Sequence, residues 1–367
     1  MSQLPTTGDT FGLLLQLAFY GMFFVFIFYG QRIQLSLSLL QVSRQLTKLK
    51  YMRAKGRMDV IKAIREQGGT EDPTPAVDRF MEHFVVSPAD MDPAGVVWKF
   101  EHIVNVRDDK FKEEVKTLAP AADEGQVNNL ENMLEAAAAL NLVYKVIRHY
   151  YLLGKRTKSY FVIAQLQMVL PLIVEQAQAY AKALSAFAEG QPIGDGIGAI
   201  VAANLLRSAK KRREIAKDVV VGELSIDGRH VFALKAKGPG GSVGKPGDGI
   251  ERVIEESGGK VDAIIMVDAA LKLEGEKSGS IADGIGAAIG GIGIEKYKIE
   301  EVASKYKIPL YGVVVKESIL EAITPITKTI LDSSKHALGA VKRIIEERVP
   351  KRGAVIIAGI GNTIGVS

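Results

Sequence analysis

The sequence predicts three successive structures: an N-terminal transmembrane helix, a helical middle region, and a C-terminal α/β domain built on a doubly wound, mostly parallel sheet. Three observations carry this expectation. Residues Phe11–Gly30 run without a charged side chain. Glycine is sparse early and dense late, with 10 in residues 1–189 and 27 in residues 190–367. Continuous apolar runs such as AIIMV (263–267) and YGVVV (311–315) suit strands covered on both faces. At 367 residues the chain is too long for one small domain of ~100–200 residues.

Composition narrows the classes further. A hydrophobic fraction of 47% and a mean hydropathy of +0.11 exclude a disordered chain, and 24% charged residues exclude a polytopic membrane protein along the whole length. Cysteine is absent. That removes disulfide frameworks, thiolate zinc sites, iron–sulfur clusters and cysteine nucleophiles together.

The first element is FGLLLQLAFYGMFFVFIFYG (11–30), whose only strongly polar side chain is Gln16. Twenty residues at 1.5 Å rise match the ~30 Å hydrocarbon core, where a helix satisfies its own backbone. A cleaved signal peptide fits poorly, because no basic residue precedes the run and no small-x-small site follows it. Residues 31–65 carry nine basic side chains against one acid, Asp59, and continue a helical pattern. The positive-inside rule then expects a single-pass protein of the cell membrane, N-terminus outside and the rest cytoplasmic, with the lipid bilayer as partner. Residues 1–66 make up this anchor and its basic stem.

The middle region spans 67–188. Pro73, Pro75 and Pro88 mark a linker, and Ser87-Pro88 and Asp92-Pro93 each read as an N-cap followed by proline at the first helical position. Helical patterns follow over 96–117, 125–151 and 160–189. The last is apolar enough to suggest a second span, but Gln165, Gln167, Pro171 and Glu175 favour a buried soluble helix kinked at the proline. His102 and His149 sit on helical faces beside aromatics, as core or interface histidines do.

In residues 189–367, strands are expected at 217–224, 230–235, 263–267, 310–315 and 354–358. Helices are expected at 196–209, 247–257, 299–306, 318–329 and 333–347. In such sheets ligands bind beyond the carboxyl ends of the strands, where four segments stand out. These are GDGIG (194–198), KGPGGSVGKPG (237–247), MVDAA (266–270) and GIGNTIG (359–365). Lys245 is followed by proline rather than Ser or Thr, so 237–247 is not a P-loop. Residues 359–365 miss the dinucleotide spacing. Tight turns alone would also account for these glycines.

Taken in order, DGIG at Asp195, the Gly/Pro loop, the strand ending in VDA at Asp268, SIADGIGAAIGGIG (280–293) and the strand IPLYGVVV (308–315) resemble the germination protease of spore-forming bacteria and the hydrogenase maturation peptidases. The resemblance implies an α/β domain of the phosphorylase/hydrolase-like, maturation-peptidase type with Asp195 and Asp268 as its paired acids. The superfamily's first strand usually ends in a GIGN-like turn before the first helix. Here that turn is in AVIIAGIGN (354–362), so the resemblance implies a circular permutation that brings Asn362 beside Asp195. The His that completes the metal site of the maturation peptidases has no match in 284–293, and His230 and His336 lie elsewhere. A divalent cation such as Mg²⁺ could still be held through waters by Asp195, Asp268 and Asp283; no other cofactor is called for. The whole chain also resembles an uncharacterised archaeal family of membrane-anchored proteins, which implies no activity.

Two carboxylates in one desolvated pocket repel, which raises one pKa and lets the pair act as general acid and base on a water. Backbone amides of Gly238, Gly240 and Gly241, or Lys245, would stabilise the oxyanion of a peptide or protein substrate, with Asn362 alongside. The competing roles are structural: Asp195 capping its helix and Asp268 bonding a turn. A catalytically silent binding or scaffold protein therefore stands beside the amide hydrolase, and either is expected to be a homo-oligomer, through the helical region or GAAIGGIG (286–293). The net charge of +5 places +8 in residues 31–65 and about −3 elsewhere, so the body offers no case for nucleic acid.

Overall fold

A computed structural model describes residues 7–69, 71–83, 95–291 and 293–367. The proline-led helix starts expected at Ser87 and Asp92 lie outside the described residues. The chain divides into two compact units, Met1–Met52 with Leu142–Glu175, and Arg53–Asn141 with Gln176–Ser367.

Five helices make up the first half: α1 (Thr7–Glu66), α2 (Thr74–Met81), α3 (Val96–Leu118), α4 (Glu124–Thr157) and α5 (Tyr160–Glu189). In the first unit, α1 and the α4–α5 hairpin bury Val42, Leu49, Ile147, Ile163, Leu166 and Leu170. The tight turn between α4 and α5 places Lys158 at φ 53° and Gly154 directly against Ile163. Among the described residues one helix, Tyr160–Glu189, is long and apolar enough to cross a membrane, or two if Phe11–Val25 and Tyr29–Glu66 form one bent span. The expectation of a buried α5 is corrected: most of its apolar stretch is not enclosed, and Phe161, Met168 and Leu172 are exposed.

In the second unit the α/β region follows a 3₁₀ turn at Gly194–Gly196 and helix α6 (Ile197–Leu206). Strands β1 (Arg212–Ala216), β2 (Val219–Ile226) and β3 (Arg229–Ala236) form an antiparallel meander. Asp227-Gly228, both at positive φ, closes its second hairpin. Then come α7 (Pro246–Glu256), β4 (Ala263–Leu271), β5 (Ile281–Ile285), α8 (Ile294–Tyr306), β6 (Leu310–Glu317), α9 (Ile319–Ile323), α10 (Lys328–Arg348) and β7 (Ala354–Gly359).

The seven strands take the order β1-β2-β3-β7-β4-β6-β5. The sheet is mixed rather than mostly parallel. β3, β7, β4 and β6 run parallel, while β1, β2 and β5 pair antiparallel at the two edges. The β1–β2 edge turns back because short turns join β1 to β2 and β2 to β3, which leaves no room for a crossover helix. Side chains alternate along the central strands. Ala263, Ile265, Val267, Val355 and Ile357 join α6 and α10 in one core, whereas Ile264, Met266, Ile356 and Ala358 join α7 and α8 in another. Both faces are thus covered, which explains the unbroken Val/Ile runs.

Candidate functional site

The carboxyl ends of β4, β6 and β7 converge on the turn before α6. Helix α6 reaches this position because Gly198 and Gly359 let backbone meet backbone: a Cβ on Gly198 would stand 2.1 Å from the Val267 carbonyl oxygen. The Ile360 N–H donates to the Val267 carbonyl at 2.8 Å and the Ala199 N–H to the Ile360 carbonyl at 3.1 Å, fastening strand, turn and helix. Gly361 at φ +113° then turns the chain over the backbone of Asp195.

The Asn362 backbone N–H donates to Asp195 Oδ2 at 2.8 Å, so these two residues are neighbours. Asp195 does not cap α6, whose start has no side-chain cap. Burial pushes the Asp195 carboxyl upward, and the Asn362 N–H draws it partly back. Asp268 is buried in the carboxyl half of β4, three residues before the strand ends. Its pKa is pushed up to about 7, first by burial and then by the Asp195 charge, against hydrogen bonds from the Ala269 and Gly290 N–H groups. The turn-bonding role expected for Asp268 is therefore present together with the electrostatic pairing.

A third acid belongs here that sequence reasoning missed. Glu317, the last residue of β6, is 0% exposed, and neither carboxylate oxygen has a hydrogen-bond partner. It packs on Gly194, and burial followed by the charges of Asp195, Glu321 and Asp268 pushes it up to about 8. The signal was available: VVVKE places an acid at a strand end just as IIMVDAA does. A second missed residue, Lys235, lies buried one residue before the end of β3, its ammonium donating to the Ala236 and Val366 carbonyls, and desolvation lowers it to about 8.

The glycine loop after β3 is placed differently from expectation. The Gly241 N–H donates to Asn129 Oδ1 at 2.9 Å, and Asn132 Nδ2 donates to the Gly241 carbonyl at 2.7 Å. Gly238 lies against the Val366 carbonyl and Gly240 against Gly125 of α4. The Thr363 hydroxyl lies within 3.0 Å of the Lys237, Gly240 and Ser242 carbonyl oxygens. Asn362 Nδ2 donates to Asn132 Oδ1 at 3.2 Å. The loop is thus a clasp joining α4 to the C-terminal segment. Lys245 is directed to α3, where its ammonium meets Asn105 Oδ1 at 2.8 Å and Glu101 at 3.4 Å. The single Gly241 N–H is therefore occupied, and two of the three Lys245 ammonium donors are taken up by α3.

Asp283 also stands apart. It lies on edge strand β5 and accepts from Arg343 of α10 at 2.7 Å. Among the described residues no group of three His, Cys, Asp or Glu side chains is placed to hold a metal ion. The set of Asp195, Asp268 and Asp283 therefore does not fit a shared cation.

Fold and site together define an α/β protein with a helical N-terminal half and buried carboxylates at the ends of parallel strands. The chain belongs to the DUF1512 family. Residues 16–190 match the model described as "Protein of unknown function (DUF1512) N-terminal domain", and residues 193–367 match "Domain of unknown function (DUF1512) C-terminal". No curated protein and no solved structure matches the chain.

Proposed function

We propose that this is a single-pass membrane protein whose cytoplasmic α/β domain hydrolyses an amide bond in a peptide or protein, with Asp195 and Asp268 as its acid–base pair. The observation that carries the reading is the placement of Asp268. It is buried in the carboxyl half of a parallel strand, with a proton affinity set near neutrality by burial and by Asp195. Asp195 takes a proton from the water that attacks the carbonyl carbon. Asp268 gives its proton to the leaving amine as the C–N bond breaks. The order of motifs shared with the germination protease and the maturation peptidases, permuted so that Asn362 meets Asp195, supports the class of reaction. The uncharged run from Phe11 and the basic stem after it support the anchor.

The test compares full-length wild type with Asp195→Asn and Asp268→Asn, following cleavage of the chain itself and of co-expressed membrane proteins by mass spectrometry. Both variants are expected to lose cleavage by about 10²-fold or more. Equal behaviour of all three proteins overturns the reading. A catalytically silent, homo-oligomeric scaffold is the second reading, favoured by the engagement of the Gly241 N–H and of Lys245. It expects wild type and both variants to share one subunit number by mass photometry and to cleave nothing.

A further inference from the structure

We infer that the tip of the α4–α5 hairpin is a foot that binds the anionic headgroups of the membrane, an inference that rests on the anchor reading proposed above. The direction of packing is the first argument. Gln34 of α1 donates to the Tyr160 hydroxyl at 2.7 Å, and seven residues along both helices Gln41 bonds Gln167. Helices α1 and α5 therefore run parallel, and the beginning of α5, not its end, faces the span. Gln34 lies four residues beyond Gly30, about 6 Å of helix. The hairpin tip is thus held at the depth of the headgroups.

The second argument is charge. Between residues 10 and 52 and between 142 and 174 the first unit contains nine Lys and Arg and not one Asp or Glu. Three of the nine, Lys155, Arg156 and Lys158, crowd the turn, are exposed, and meet no carboxylate among the described residues. Such a cluster is repelled by its own members and stabilised by a surface of negative charge. The third argument is apolar. Phe161 is 69% exposed and Leu152 43% exposed beside those bases. An apolar pair rimmed by long basic side chains suits the headgroup–acyl boundary, with the Phe161 ring and Leu152 below the phosphates and the ammonium and guanidinium groups at their level. The turn is firm: the Ser159 N–H donates to the Gly154 carbonyl at 3.1 Å, and Thr157 bonds Leu153 at 2.8 Å.

Because the chain has no cysteine, Ala18→Cys and Thr157→Cys each give the full-length protein one site for a nitroxide label. Each is reconstituted into nanodiscs of phosphatidylcholine alone or mixed with phosphatidylserine, and label depth is read from oxygen and nickel-chelate accessibility. The label at 18 is expected in hydrocarbon in both discs. The label at 157 is expected to move from water into the headgroup layer when phosphatidylserine is present, within about 5–10 Å of the acyl boundary. The charge reversal Lys155→Glu/Arg156→Glu/Lys158→Glu is expected to abolish that shift. A label at 157 that stays in water in both discs while that at 18 is in hydrocarbon overturns the foot and leaves the anchor standing. Water at both positions overturns the anchor and the foot with it. Spin–spin broadening at 157 that is the same in both discs indicates a second copy of the chain there and also overturns the foot.

Discussion

The two compact units solve opposite electrical problems. The unit formed by Met1–Met52 and Leu142–Glu175 carries a net charge of +7, with its bases outward and many apolar side chains exposed. The other unit is nearly neutral at −2, yet it draws Asp195, Asp268 and Glu317 inward, where burial raises all three. The overall +5 and a pI near 9.0 describe neither. Charge that is left in solvent costs the fold little, whereas charge that is buried must be neutralised, paired or used. The acids of the second unit are therefore the ones whose alteration should be felt in stability and pH response.

The largest expected effect comes from the contact that assembles those acids. Gly198→Val pushes a side chain into the Val267 and Ile360 carbonyls and is expected to cost about 3 kcal/mol or more, read by urea denaturation. A near-wild-type midpoint would show that α6 can lift from the sheet. Next is Glu317→Gln. The raised Glu317 holds its proton in the folded chain between about pH 4.5 and its folded value of about 8, while the unfolded chain has released it. Stability therefore falls as pH rises through that window and levels off above it, a loss on the order of a few kcal/mol. The glutamine variant is expected to lose this slope and to be more stable than wild type at pH 9, as thermal melts across pH would show.

Asn132→Ala deletes the donor to the Gly241 carbonyl and the acceptor for Asn362. It is expected to cost about 1–2 kcal/mol and to speed amide exchange at 238–242 and 362–365. Smallest is Arg343→Ala, which breaks a half-exposed pair with Asp283 and is expected to change stability by about 1 kcal/mol or less and cleavage not at all. A large loss of cleavage there would return Asp283 to the site.

Much of this was legible in the sequence. The three central strands β4, β6 and β7, with their Val/Ile runs, were readable because both faces are buried; Asp268 was findable as an acid punctuating such a run, and Asp195 as an acid on a glycine turn that opens a helix. Strands β1 and β5 were not, because edge strands need bury only one side: RREIA looks like a charged loop and IADGI like a glycine turn. The single helix expected over 318–329 is two, since Thr324-Pro325 cannot continue α9 and α10 starts afresh on a Thr327 cap. The partners of Lys245 were out of reach for a different reason. Glu101 and Asn105 lie about 140 residues away in sequence, and nothing local marks which of many acids a lysine will meet.

The position of β7 has a consequence for how such a chain is made. Its residues 354–359 hydrogen-bond β3 on one side and β4 on the other, so the sheet's middle is translated after both of its flanks. Until it arrives, the meander β1–β3 and the β4–β6–β5 group have no pairing between them, and Asp195 has no Asn362 to meet. Synthesis thus acts as a check on the site: the helical half is complete while the acids remain unassembled, and a product that stops short of β7 lacks the strand that joins the two flanks and brings Asn362 to Asp195.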